Sequence, residues 1–212
     1  MMMKNNKQIL LIALGGNALI RKGQKGTIDE QFENLKNPVR QIAKLSRTYR
    51  IIITHGNGPQ VGNLMLKQES CDAVPKLPLE ILVAQTQGQI GYMIESTLDT
   101  ELMSLGNTSE HYFVSLLSYV VVDKNDPAFL NPSKPVGPVF TKEKAQTLPY
   151  PTKKTAKGYR RVVASPLPVT IVEKRGNQKA HRYEFYCYLL RWRRDTGHSR
   201  RTTFLRRGCG HR

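Results

Sequence analysis

Two glycine-rich turns hold the side chains whose types and spacing best suit chemistry. The first is Gly15-Gly16-Asn17. The second is HGNGPQVGN at 55–63, where Gly56, Asn57, Gly58 and Gln60 mix open backbone with amide side chains. Glycine belongs where the backbone must turn with positive φ or approach a ligand closely. A turn of this kind that opens a helix presents backbone N–H groups to an anion. Two such units in one chain suit two anionic groups held close together, as phosphoryl transfer requires. Taken alone, Gly15-Gly16-Asn17 is weak, because it has neither the GxxxxGK[ST] nor the GxGxxG spacing, and a tight turn would explain it. The second loop is more specific, since a turn alone needs fewer glycines.

A third candidate is Lys134, set between Pro132 and Pro135 in NPSKPVG at 131–137. The prolines fix φ and restrict where the ammonium can go. A lysine so placed can stabilise charge on a transferring phosphoryl group. Without the two glycine loops it would read as an exposed lysine in a proline turn. Arg160 and Arg161, beside Tyr159, are suited to phosphate or carboxylate, or equally to a solvated charge pair at the start of a strand. His55 could serve as a general base, but in a glycine turn it more often makes structural hydrogen bonds. No HExxH, paired-carboxylate or Ser-His-Asp pattern stands out, so hydrolase chemistry ranks low. Cys71, Cys187 and Cys209 form no CxxC pair and have no ligand spacing with histidine, which disfavours zinc and a disulfide framework.

The elements that must position these residues follow from periodicity. A strand is expected over 8–14 and another over 50–54. Phe32, Leu35, Val39, Ile42 and Leu45 recur at helical spacing, with Pro38 expected to kink or split that helix. A helix should follow the second glycine loop through Val61, Leu64, Met65 and Gln68. One or two helices should cover 79–105, and 112–122 is rich in β-formers. Strands alternating with helices argue for an α/β sandwich with a parallel sheet, whose ligands lie outside the carboxyl ends of the strands. Residues 123–168 differ in texture. Their many prolines suit a loop-rich excursion or small subdomain laid over a site.

The net charge of +17 is unevenly spread. From Lys174 onward there are 12 Lys and Arg against 2 Asp and Glu, a balance of +10, whereas the first 173 residues carry +7. The basic tail could bind nucleic acid. The remainder has the mildly basic balance of an enzyme with anionic substrates. The first apolar run has strand length, so neither a signal peptide nor a membrane span is expected, and a cytoplasmic setting is the default.

In order and spacing, ALGGNA (13–18), HGNGPQVGN (55–63), TQGQIGY (86–92), Val122-Asp123 with Asp126, Ala128-Phe129, NPSKPVG (131–137) and RVVASP (161–166) closely resemble the carbamate kinases. The resemblance runs from about residue 8 to 173. It implies the amino-acid kinase fold, a three-layer αβα sandwich with a mainly parallel sheet, in a homodimer. It also implies reversible phosphoryl transfer between ATP and carbamate with Mg²⁺, running toward ATP at the end of arginine breakdown. By motif, Gly15, Gly16 and Asn17 would hold the transferring phosphoryl region. Gly56, Asn57 and Gly58, with Gln60, would bind carbamate or carbamoyl phosphate. Lys134 would reach over from a protruding subdomain at 123–168, with 1–122 as the main α/β part and 169–175 as the return to it. Tyr159, Lys157 and Ala164 stand where the family usually has Trp, Arg and Pro.

The resemblance stops after Lys174-Arg175. Successive glycine codons, read one base early, become Trp, Arg or Gly, and Arg191-Trp192-Arg193-Arg194 fits that rule. With suitable codons shifted by one base, 176–185, 191–198 and 205–211 can encode AIKKLIDTNF, GGGGIPV and YGVDAVI, segments of the family in their usual order. An altered reading frame near Arg175 would account for this, and would make 176–212 a non-homologous basic tail rather than a selected nucleic-acid arm. The nucleotide-binding half would then be missing, this chain is expected to be inactive on its own, and core surface would be left exposed. Two other readings remain: a nucleic-acid-binding protein using the Arg-rich tail, and a homologue that binds carbamoyl phosphate without turnover.

Overall fold

The computed structural model describes residues 7–106 and 113–172, and the backbone of 186–190. The segments 107–112, 173–185 and 191–212 lie outside the described residues, and with them most of the proposed out-of-frame tail. The chain divides into two compact units. The first contains the described residues up to Asn57, those from Ala84 to Leu117, and 186–190. The second contains 58–83 and 118–172.

In the first unit, strand β1 (Ile9–Leu14) pairs in parallel with β2 (Arg50–His55), from Ile9 opposite Arg50 to Leu14 opposite His55. β9 (Tyr186–Leu190) inserts between β2 and β3 (Phe113–Ser115), also in parallel, giving the order β1-β2-β9-β3. Helix α1 (Ile28–Leu45) and the greater part of α3 (Leu79–Ser104) belong to the same unit. Side chains alternate across a strand. Leu10, Ile12 and Leu14 therefore share a face with their partners Ile51, Ile53 and His55, and that face meets Leu35, Val39 and Ile42 of α1 and Ile90, Ile94, Leu98 and Leu102 of α3. Each large aliphatic so buried contributes about 1.5–3 kcal/mol. On the opposite face Ile9 and Leu11 are 49% and 61% exposed, so among the described residues helices cover one side of the sheet.

α1 starts where a capping box dictates. The Thr27 hydroxyl accepts from the Glu30 N–H at 3.2 Å, and the Glu30 carboxylate accepts from the N–H groups of Thr27 and Gly26 at 3.0 and 2.6 Å. Pro38 does not split the helix, which rules out one of the two outcomes expected from sequence, a kink or a split. Proline forfeits the one bond back to residue 34, but Leu35, Val39 and Ile42 on either side of it are 0–2% exposed, and their packing carries the helix through.

The second unit contains helix α2 (Gly58–Glu69), the antiparallel pair β4 (Val120–Val122) and β8 (Pro168–Ile171), and the antiparallel sheet β5-β7-β6 formed by β5 (Lys134–Phe140), β6 (Thr152–Thr155) and β7 (Gly158–Val163), with the short helix α4 (Lys142–Gln146). The proline-rich excursion therefore holds a three-stranded sheet and a short helix as well as loops. Val61, Met65, Leu82 and Val136 form its core with α2. α2 and β5 meet backbone to backbone: a Cβ on Gly62 would lie 2.4 Å from the Gly137 Cα. Gly137 itself sits at φ 70°, within a register shift of β5.

Candidate functional site

The aligned ends of β1 and β2 place the two glycine loops side by side. Leu14 opposes His55, so Gly15-Gly16-Asn17 and Gly56-Asn57 leave the carboxyl edge of the sheet from neighbouring parallel strands, which lie about 4.8 Å apart. After β1 the chain makes a 3-10 turn over Gly16–Ala18, closed by hydrogen bonds from Ala18 N–H to Gly15 O at 2.9 Å and from Ile20 N–H to Gly16 O at 2.9 Å. The buried Asn34 of α1 secures the loop beyond, donating to Leu19 O at 3.0 Å and to Gln24 Oε1 at 2.6 Å.

Neither the turn nor crowding explains the four loop glycines. A Cβ on Gly15, Gly16, Gly56 or Gly58 would have no neighbour within 4 Å, and none of the four has a positive φ. Among the described residues, the glycines with positive φ are Gly23, Gly26, Gly106, Gly137 and Gly158. What remains of glycine's uses is close approach of a ligand to the backbone. The chemistry open to this edge is the binding of a small anion by N–H groups, with Asn17 and Asn57 adding amide donors and acceptors.

Asn57 is half-buried, and its Nδ2 donates to the Thr86 hydroxyl of α3 at 2.8 Å. Thr86 is fully buried. Sequence reading placed it in the TQGQIGY motif but gave it no role, because no spacing signals a contact across 29 residues. His55 is buried, and its Nδ1 lies 3.5 Å from Gly56 O. Burial pushes its imidazole below the ordinary 6.5, with the Gly56 carbonyl opposing the shift. It is a neutral, inward-facing ring at the strand end, which fits the structural role.

Gly58, Gln60 and Lys134 belong to the second unit. Gly58 opens α2, and Gln60 is buried in its first turn. Lys134 opens β5 opposite Val163, and burial holds its ammonium below the ordinary 10.5. α2 and β5 are the elements joined at Gly62 and Gly137, so Gln60 and Lys134 stand on directly packed elements.

The two arginines turn out to be braces. Arg160 donates from Nε and Nη2 to Gly137 O at 3.0 and 2.6 Å. Arg161 pairs with Glu69 at the end of α2 and lies over the Tyr150 ring, 4.1 Å from its centroid. Among the described residues no three His, Cys, Asp or Glu side chains gather as a metal site, and no helix is long and apolar enough to cross a membrane.

A parallel α/β sheet with two adjoining open glycine loops at its carboxyl edge defines an open α/β protein whose ligand position is at that edge. The chain belongs to the amino acid kinase family, whose profile matches residues 8–133. It is 44% identical over 173 residues to the carbamate kinase of Pyrococcus furiosus, covering 77% of this chain and 54% of that protein. It is 47% identical over 172 residues to that of Haemophilus influenzae, covering 78% and 53%. Among solved structures, the carbamate kinase from Giardia lamblia bound to citric acid superposes with a TM-score of 0.79 at 33% identity, covering 88% of this chain and 62% of that one. The amino-acid kinase fold expected from the motifs is thus borne out. The chain spans about half the length of the curated relatives it matches.

Proposed function

We propose that this chain is the carbamate end of a carbamate kinase, the enzyme that moves a phosphoryl group between carbamate and ATP. In the direction of ATP formation, a terminal oxygen of ADP attacks the phosphorus of carbamoyl phosphate. The bond from phosphorus to the carbamate oxygen breaks, and carbamate leaves. Gly15, Gly16 and Asn17 hold the transferring phosphoryl region. Gly56, Asn57 and Gly58, with Gln60, hold the carbamoyl group. Lys134 offsets negative charge on the phosphoryl oxygens as the bond order shifts.

The observation that carries this reading is the pair of glycine loops leaving aligned parallel strands, with open space where a Cβ on Gly15, Gly16, Gly56 or Gly58 would be. The nucleotide is a substrate of the whole enzyme, and the residues that hold it fall outside this proposal. Mg²⁺ would arrive on the nucleotide phosphates, which take up such ions with few protein ligands. No residue described here is assigned to it. The full-length enzyme is proposed to be a cytoplasmic homodimer of the arginine-degradation route, with small molecules rather than nucleic acid as its partners.

Titration of the 212-residue chain with carbamoyl phosphate, followed by calorimetry, tests the binding half of the proposal. Saturable binding is expected, and no binding at millimolar ligand would sink it. ADP-dependent ATP formation by the frame-restored protein, abolished by Lys134→Ala, tests the catalytic half. The frame change near Arg175 is part of the same proposal. If no single-base change there restores a carbamate kinase sequence in the coding DNA, that part fails.

A further inference from the structure

Carbamoyl phosphate and acetyl phosphate have nearly the same shape and charge. They differ in that one carries an amino group where the other carries a methyl. A site that prefers the carbamoyl compound can do so by placing a hydrogen-bond acceptor where the amino group falls. Among the side chains of the 55–58 loop, His55 is turned inward against the Gly56 carbonyl. Asn57 is the half-buried one that carries both a donor and an acceptor.

An amide free to rotate could offer either end to the ligand. The Asn57 amide is oriented by one hydrogen bond. Its Nδ2 donates to Thr86 Oγ1 at 2.8 Å, the one side-chain hydrogen bond it makes among the described residues, and Thr86 is 0% exposed on α3. With the amino end held at the helix, the carbonyl Oδ1 is the end turned away from it. We propose that Thr86 locks the Asn57 amide so that Oδ1 accepts from the substrate's amino group, which makes the pair the determinant that admits a carbamoyl and disfavours an acetyl substrate. This rests on the carbamate reading above. Thr86 is the positioning residue, and Asn57 the residue that touches substrate. A buried polar group built to pair with a substrate N–H is left unpaired by the analogue that lacks it, which is where such sites gain their discrimination.

The test is competitive calorimetry on the 212-residue chain with carbamoyl phosphate, acetyl phosphate and inorganic phosphate. The wild-type chain should prefer carbamoyl over acetyl phosphate by about tenfold or more. Thr86→Val, which keeps shape but removes the hydroxyl, should bring that ratio close to one while phosphate binding is retained. Thr86→Ser should restore the ratio, which a loss of packing alone would not. Asn57→Ala should also abolish it, and carries the test alone if Thr86→Val does not fold. An unchanged ratio in Thr86→Val overturns the lock while leaving the carbamate reading in place. An unchanged ratio in Asn57→Ala overturns the recognition step. Failure of the wild-type chain to bind either acyl phosphate overturns the carbamate reading and this inference with it.

Discussion

At the scale of single residues, the loop glycines separate the needs of the fold from those of the ligand. Gly16 and Gly56 have no neighbour within 4 Å of a built Cβ and no positive φ. Alanine is therefore compatible with the fold at both positions. Gly16→Ala and Gly56→Ala should hold or raise stability, by roughly 0.4–1 kcal/mol through lost freedom of the unfolded chain. The same changes should weaken carbamoyl phosphate binding about tenfold or more, equivalent to ~1.4 kcal/mol. Thermal melts and calorimetry on the same samples check both, and a parallel loss of stability and binding would return these loops to the status of structural turns. His55 gives a pH test. Burial puts its folded pKa below the ordinary 6.5, so the unfolded chain takes up the proton first. The stability tied to its neutral form is complete above about 6.5 and declines as pH falls from there toward the lower folded value. Urea midpoints between pH 8 and 5 should fall on acidification, and less so in His55→Gln.

At the scale of elements, identical substitutions in two helices should have opposite signs. Gly62 of α2 would bring a Cβ to 2.4 Å from the Gly137 Cα and 2.6 Å from its nitrogen, backbone atoms that the two Arg160 hydrogen bonds hold in place. Gly62→Ala should cost about 1–3 kcal/mol by overpacking, with faster amide exchange along β5. Gly88 lies on an open face of α3 with nothing within 4 Å, and Gly88→Ala should gain about 0.5–1 kcal/mol in helix propensity. The strands and helices before residue 105 were legible because apolar periodicity and glycine punctuation agree there. Pro38 left a split open that the structure does not show, because periodicity around it reports the packing of Leu35 and Val39 while the ring alone reports a break. β9 was not read as a strand, since its five residues sit in a tail whose arginines dominate composition. The glycine loops announced themselves locally, whereas the hold of Thr86 on Asn57, and the hold of Glu69 on Arg161, join residues 29 and 92 apart that only the folded chain brings together.

At the scale of the molecule, the first unit has a covered and an uncovered side. Ile9 and Leu11 project from β1, which stands at the edge of the order β1-β2-β9-β3, and they are 49% and 61% exposed. An apolar face on an edge strand invites pairing and association with other chains. Relatives nearly twice as long offer more chain to cover it. The consequence is a substitution whose effect depends on length. In the 212-residue chain, Leu11→Lys removes apolar surface from water contact and takes nothing from the core formed by Leu10, Ile12 and Leu14 on the other side. It should reduce self-association in analytical ultracentrifugation and leave the thermal midpoint nearly unchanged. In a frame-restored protein whose added half packs on this face, the same lysine would be buried, and the change should cost about 2–5 kcal/mol, as for burying an uncompensated group or emptying a core site. Equal tolerance of Leu11→Lys in both chains would mean that the added half does not pack on this face. The uncovered strand would then be a surface of the mature fold rather than the seam along which the rest of the enzyme joins.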